Sequence, residues 1–254
     1  MKKILLWSLG GAAALGILTV VVLMFYLGDI VKAGVNSFGP KLTQTNVVLK
    51  GATISPLSGS GTLTGLSVAN TPGWKNENAF VLGKIHLSVA PFSILGDHIV
   101  INELIVEKPM FSYETKLVDS NIAQLLANIE KFAGSGAATP AGKSGKPVKF
   151  EVKKFRLTDA SVSVGVGGVA AVTVPMPDIS MDDLGTKEGG ITPDQLVTTV
   201  MKKVSTGVIS AGAEAVKKAG AAVVSGATDA VKGVGNAAKG AVDGVKSLFG
   251  GDKK

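Results

Sequence analysis

Two histidines and a scatter of carboxylates are the side chains in this chain best suited to proton-transfer or metal chemistry. His86 falls inside a strand-like segment and His98 in the turn Gly96-Asp97-His98. A hydrolytic triad needs a nucleophile, a base and an orienting acid, and neither histidine has that company in the sequence. Zinc would want three or four Cys, His or carboxylate ligands at close spacing, and none are so spaced. Asp182-Asp183 is adjacent rather than convergent and reads as a solvated turn. Glu103 and Glu107 share a strand face with Ile105 between them, which suggests the rim of a groove before an acid–base pair. Gly59-Ser60-Gly61 and Gly165-Val166-Gly167-Gly168 lack the strand–loop–helix setting of a phosphate loop and read as bends that curl or interrupt a sheet. There is no Cys, so neither disulfides nor thiolate chemistry contribute. The expectation is a protein that is not an enzyme and holds neither metal nor cofactor.

The elements around these residues are mostly strands. Asn46–Lys50 alternates weakly, and Thr62–Val68 puts Leu66 and Val68 on one face but is broken by Gly65. Lys84–Ala90 alternates cleanly, with Ile85, Leu87 and Val89 against His86, Ser88 and Ala90. Ile99–Glu107 is apolar on both faces: Ile99, Ile101 and Ile105 oppose Val100, Leu104 and Val106. Such a strand is covered on both sides, by protein or by an apolar ligand. Ser120–Phe132 then changes to a helical period, with Ser120 as N-cap and a stripe of Ile122, Leu125, Leu126, Ile129 and Phe132. Strands resume at Val148–Val152, Phe155–Leu157, Ala160–Val166, Ala170–Val174 and Ile179–Met181. Thr192-Pro193-Asp194-Gln195 opens a further helix, with threonine at the N-cap, proline at N1 and glutamine at N3. Ile99–Glu114 and Val148–Val164 echo one another, as one β-meander unit used twice with a helix after each copy.

The first twenty-seven residues place the rest. Lys2 and Lys3 lead into Ile4–Leu27, which carries no charge. As a helix this run is roughly 36 Å long, enough to cross a hydrocarbon core of about 30 Å with some tilt. A cleavable signal peptide has a shorter apolar region and ends at small residues, whereas this stretch closes on Val20–Tyr26. The paired lysines favour a cytoplasmic N-terminus, so residues 28–254 are expected across a bacterial inner membrane, in the periplasm. A short helical stripe at Asp29–Lys41 is expected to stop at Gly39-Pro40.

The organisation read from these signals is a transmembrane anchor over 1–27, a first β-rich unit with flanking helices over 28–132, a flexible linker over 133–147, a second β-rich unit over 148–191, and a C-terminal helix with an amphipathic tail over 192–254. The fold class is α+β, mainly β: an N-terminal transmembrane helix, a curved antiparallel sheet of repeated meander units with packed helices, and a helical tail. Charge is concentrated at the end. Of the net +7, residues 195–254 carry nine lysines against four acids, a net of +5, so the middle is nearly neutral. Arg156 is the only arginine and aromatic residues are few, a poor composition for binding nucleic acid.

From about Ala211 the tail holds Val231, Val234, Ala238, Ala241, Val245 and Leu248 on one helical stripe, flanked by Lys232, Lys239 and Lys246. One reading is reversible docking on an anionic membrane surface, with Leu248-Phe249 as the wedge. The other is a flexible soluble tail, since glycines at 226, 233, 235, 240 and 244 each cost about 1 kcal/mol of helix stability relative to Ala.

The run from Ile54 to Asn70, Ile-Ser-Pro-Leu-Ser-Gly-Ser-Gly-Thr-Leu-Thr-Gly-Leu-Ser-Val-Ala-Asn, resembles the AsmA family of bacterial envelope proteins. The resemblance continues through Phe80–Ile85, Ile99–Pro109, Tyr113-Glu114, Val174–Ile179, Asp183–Gly185 and Gly189–Pro193, and covers about residues 1–205 with the lysine-led anchor. It implies an inner-membrane protein with a periplasmic β-rich body acting in envelope homeostasis or lipid transport. Larger relatives look like bridge-type lipid carriers with a curved, apolar-lined groove, and the resemblance supplies no catalytic motif. This chain departs in length, because its β-rich body is too short to bridge a periplasm alone. Phospholipid in a groove would touch Ile99, Ile101 and Ile105; the bilayer itself would be met through residues 4–27. The alternative is a structural or interaction module whose apolar face packs wholly on its own helices.

The anchor reading has a direct test. A reporter that works only in the cytoplasm is expected to stay silent when fused after Lys254, an export-dependent one to be active there, and N-terminal sequencing of the mature chain to start at Met1 or Lys2. A mature N-terminus near residue 27 would show a cleaved signal peptide instead.

Overall fold

The computed structural model describes residues 2–55, 57–116, 119–135, 142, 144–165 and 172–218. The tail from 219 onward, with Leu248 and Phe249, lies outside the described residues, as do 136–141 and 143 of the expected linker. Two compact units divide the chain, Met1–Gly212 and Ala213–Lys254, and of the second only 213–218 is described. The first helix, α1, runs unbroken over Lys2–Thr43. The strands follow as β1 (Val47–Ile54), β2 (Ser60–Ala69), β3 (Asn78–Val89), β4 (His98–Glu107), β5 (Met110–Lys116) and the short β6 (Asp119–Ser120). Helix α2 (Asn121–Gly134) leads to β7 (Lys149–Thr158), β8 (Ser161–Gly165), β9 (Val172–Pro175) and β10 (Ile179–Leu184), and α3 spans 193–218. Both helix starts expected from sequence are present. Ser120 Oγ accepts from the N–H of Ala123, and the Thr192 N–H donates to the Gln195 side chain.

All ten described strands share one open sheet, so the two β-rich segments on either side of the expected linker pair directly. The sheet is mixed, not purely antiparallel. The two copies of the internal echo lie side by side and parallel at a constant offset of 51 residues: His98 beside Lys149, Glu107 beside Thr158, Met110 beside Ser161, Glu114 beside Gly165. Nor is each copy a meander. β4 and β5 both run antiparallel to the same edge of β3, so they are successive pieces of one long strand. Lys108 at φ 49° and its counterpart Asp159 at φ 53° jog the chain without reversing it. The chain reaches the second copy through α2, and a crossover of that kind makes parallel neighbours.

A line of extra residues crosses this sheet. Strict alternation would turn each strand's apolar face outward at this level, but the inward positions step by three instead. They run Leu82 to Ile85 in β3, Val106 to Pro109 between β4 and β5, Leu157 to Ala160 between β7 and β8, and Met176 to Ile179 between β9 and β10. The same slip occurs in β1 between Leu49 and Ile54, and in β2 around Gly65, where φ is +63°. A second line crosses three strands nearer the start of β4. Ile101 pairs with Val152 and Val152 with Leu184, then Leu104 with Phe155 and Phe155 with Met181, two residues intervening in each strand. An extra residue bends its strand and resets the pleat, so one face stays inward along the whole sheet.

That inward face is the core. Val152, Val162 and Val164 are at most 1% exposed, and Ile122, Leu125 and Ile129 of α2 equally so. From α3, Met201, Val204 and Val208 are buried; Gly207 passes against Met176, and Gly212 against the Tyr113 ring, where a Cβ would not fit. Lys202 of α3 and Glu130 of α2 pair at 3.0 Å on the exposed side. With each fully buried Val, Leu or Ile contributing about 1.5–3 kcal/mol relative to exposure, such a core can hold a Cys-free domain together.

Helix α1 closes one sheet edge, and it does not stop at Gly39-Pro40 as the sequence suggested. Gly39 packs on the Val47 side chain, which holds the last turn in place, and Gln44 at φ 56° ends the helix. One turn earlier the Asn36 amide bonds both backbone groups of Leu49 that β1 turns away from the sheet. Its Oδ1 accepts from the Leu49 N–H at 2.6 Å and its Nδ2 donates to the Leu49 carbonyl at 3.3 Å. Asn36→Ala leaves both half-buried groups without their partner and is expected to cost about 1–3 kcal/mol in thermal or denaturant unfolding of the full chain. Ser37→Ala, on the exposed side of the same turn, is the control. Equal stability of the two variants would show that water serves the Leu49 groups as well as Asn36 does.

Candidate functional site

Among the described residues, a dense polar constellation sits where the β2–β3 loop meets β5 and α2. Glu114, 8% exposed, accepts from the backbone N–H groups of Lys75 (2.9 Å) and Asn76 (2.7 Å) and from the Asn76 amide (2.8 Å). Asn121, fully buried, donates to the Asn70 side chain and to the Ser112 carbonyl and accepts from the Glu114 N–H. Gln124 Oε1 accepts from Thr71 and from the Trp74 indole at 2.9 Å each, and its Nε2 donates to Asp119 at 2.6 Å. Lys116 lies 4.5 Å over the Trp74 ring and donates to the Gly73 carbonyl.

Burial alone would raise the Glu114 pKa, but the N–H groups of Asn76 and Lys75 and the Asn76 amide outweigh it and hold the carboxyl below its ordinary value. A carboxylate already saturated by donors and held ionised is a poor general base. The cluster acts as a lock: it ties a long loop to the sheet and to the first turn of α2. Sequence reasoning passed over Asn121 and Gln124, because an Asn and a Gln at the head of an amphipathic helix look like solvated positions. The one available signal was a polar residue directly after the N-cap, four residues before Leu125 and so on the side of the helix that the apolar stripe occupies.

The residues singled out from sequence are dispersed. His86 Nε2 lies 3.8 Å from Glu107 and His98 Nε2 3.5 Å from Glu151, with each histidine side chain more than two-fifths exposed. Among the described residues no three His, Asp or Glu side chains converge as a metal site. Asp182-Asp183 is part of β10 and not a turn: Asp182 pairs with Arg156 at 2.9 Å, and Asp183, at φ 55°, belongs to the second line of extra residues. Glu103 and Ile105 line a shallow depression of about 350 Å³ on the outward face, together with Thr53, Ser60, Thr62 and His86.

Ile99, Ile101 and Ile105 do not share a face. Ile101 pairs with fully buried Val152 and so points inward, as does Ile99, two residues before it, whereas Ile105 pairs with His86 and Arg156 on the outward face. The extra residue in β4, opposite the register shift at Ser88/Val89 of β3, separates them. All three are half-buried, and Ile105 lies on the face opposite to that of Ile99 and Ile101.

The lock predicts a pH response. With its folded pKa below the ordinary carboxylate value of 4.5, Glu114 adds stability that is present above that pH and is lost as pH falls below it toward the folded pKa. Glu114→Gln turns an amide toward groups that are themselves donors and is expected to cost about 1–3 kcal/mol at neutral pH. The variant should also lose stability less steeply than the parent below pH 4.5 in thermal melts. Parallel losses in the two proteins would deny Glu114 this role.

Comparison with known protein families, with curated protein sequences and with solved structures finds no match for this chain.

Proposed function

We propose that this is a single-pass membrane protein of the bacterial cell envelope whose body lies in the periplasm and works by contact rather than by catalysis. One observation carries the reading. The helix that contains the apolar run Ile4–Leu27 continues without a break into the helix that closes the β1 edge, so span and body are one piece of secondary structure. Among the described helices only α1 is long and apolar enough to cross a bilayer, and its apolar window is 7% buried against the rest of the chain. Trp7 and Tyr26, both exposed, lie near the two ends of the apolar run Ile4–Leu27. A helix so bare of protein contacts would be an unusual core helix and suits a lipid surrounding.

Within this reading the closed-core alternative has the better support in the body, since α2 and α3 pack over the inward face of the sheet. The AsmA-like reading, in which the sheet contacts lipid, is supported at one place. Ile99 and Ile101 are inward yet only half-buried, at the end of the sheet nearest the apolar part of α1.

Ile101→Asp in the full chain separates the two. In a closed core the charge is unpaired beside Val152 and should cost several kcal/mol, seen as a large drop in melting temperature. In a lipid-contacting end the fold should survive, while native mass spectrometry shows loss of phospholipid that the parent retains. The closed-core outcome is expected. A stable variant that has lost bound phospholipid would favour the carrier instead.

A further inference from the structure

The contacts between α1 and β1 fix where the bilayer would meet the sheet. Gly28 rests on the backbone of Ala52, Asn36 on Leu49 and Gly39 on Val47, so helix and strand run antiparallel. From 28 to 39 the helix rises about 16 Å at 1.5 Å per residue. From 47 to 52 the strand covers about 16 Å at 3.3 Å per residue. The two lengths agree, so the helix axis follows the strand and can be extended along it.

Starting from Ile4, the farthest point the apolar run allows, a hydrocarbon core of about 30 Å uses roughly twenty residues of helix and ends near residue 23. That boundary is about 7 Å beyond the level of Gly28. Ile54, the last residue of β1, is also about 7 Å beyond Ala52. The turns that follow β1 and β3 therefore project past the hydrocarbon boundary.

What those turns carry fits this place. Leu57, at the β1–β2 tip, is 70% exposed and Phe92, at the β3–β4 tip, is 77% exposed, the second most exposed large apolar side chain after Trp7 among the described residues. The two tips adjoin: the Val89 N–H donates to the Gly59 carbonyl, and Gly59 packs against Val89 and Pro91. Phe92 sits at φ 71°, a conformation that a bulky residue adopts at a cost. It is held there by Ser93, whose Oγ donates to the Ala90 carbonyl and accepts from the Val100 N–H. The fold thus fixes the backbone so that an aromatic ring stands away from the protein. Lys146, Lys149 and Lys187 are exposed at the same end of the sheet, with Asp182, Asp183 and Glu188 among them.

We propose that Leu57 and Phe92 form a two-pronged foot that seats this end of the sheet in the interfacial layer of a phospholipid bilayer. The inference rests on the single-pass anchoring proposed above. It would make the body a structure braced against the membrane at a fixed angle, not one swinging from a tether.

The chain has no Cys, so single-cysteine labelling of the full-length protein is unambiguous. Leu57→Cys, Phe92→Cys, Leu15→Cys and Met110→Cys are each labelled with an environment-sensitive dye in nanodiscs of phosphatidylethanolamine and phosphatidylglycerol. Leu15 lies within the apolar run, and Met110 is exposed on the outward face, well away from the foot. Labels at 57 and 92 are expected to emit to the blue of the label at 110, to be several-fold less quenched by iodide, and to be quenched by nitroxide carried near the lipid glycerol. If the label at 15 is shielded from iodide but that at 57 or 92 is as accessible as that at 110, the foot is overturned and the anchor stands. If the label at 15 is itself accessible, the anchoring fails and the foot with it.

Discussion

An edge strand carries a row of backbone donors and acceptors that water, another strand or a neighbouring element must meet. At β1 that element is α1, and most of the body's arrangement follows from the way the contact is made. Two glycines, Gly28 and Gly39, let the helix lie directly against strand backbone and the Val47 side chain, where a Cβ would collide. Asn36 then offers the strand an amide in place of the missing neighbour. Once the edge is fixed, Phe38 of α1 meets Phe132 of α2 edge-on at 5.6 Å, and Asn128 of α2 donates to the Thr43 carbonyl. The edge helix thereby positions the helix that helps to cover the sheet.

The second constraint is the need to keep one face inward along long strands. An extra residue in one strand shifts its alternation, and its neighbours must shift with it. Among the described strands this happens at one level across the sheet, and again in β4, β7 and β10. The solution differs with local chemistry. Gly65 supplies positive φ at no steric cost, and Lys108 and Asp159 accept a left-handed conformation. Because Lys108 and Asp159 are 51 residues apart and neighbours in space, the internal echo is the record of two adjacent strands meeting one bending requirement.

Much of this was legible in the sequence, and the failures share a cause. Strand positions, both helix caps and the apolar run follow from local periodicity and capping chemistry, which a one-dimensional reading captures. The three-residue steps do not, because a bulge looks like a break in the pattern. Gly65 interrupts the alternation of a strand that continues through it, and strict alternation puts Ile99, Ile101 and Ile105 on one face that an extra residue divides. Parallel pairing was equally hidden. β4 and β7 are neighbours only because α2 returns the chain to the starting end of the sheet, and nothing in either strand encodes that. The lock around Glu114 joins β5 and the head of α2 to a loop that lies about fifty residues before that helix, so no local pattern marks it.

The two ends of the sheet are built for different surroundings. At the end remote from the apolar part of α1, polar groups are gathered and matched: Glu114, Asn121 and Gln124 use their donors and acceptors on one another, on Trp74 and on loop backbone. At the opposite end Ile99 and Ile101 stay half-buried, and Leu57 and Phe92 stand clear of the protein. In water alone this division would have little purpose, since exposed apolar tips gain nothing there and a strained Phe92 backbone costs free energy. On the proposed anchoring the division has a physical reason. The locked end faces solvent, where a loose loop would fray, and the apolar end faces lipid, where the exposed rings and side chains recover the free energy that water withholds.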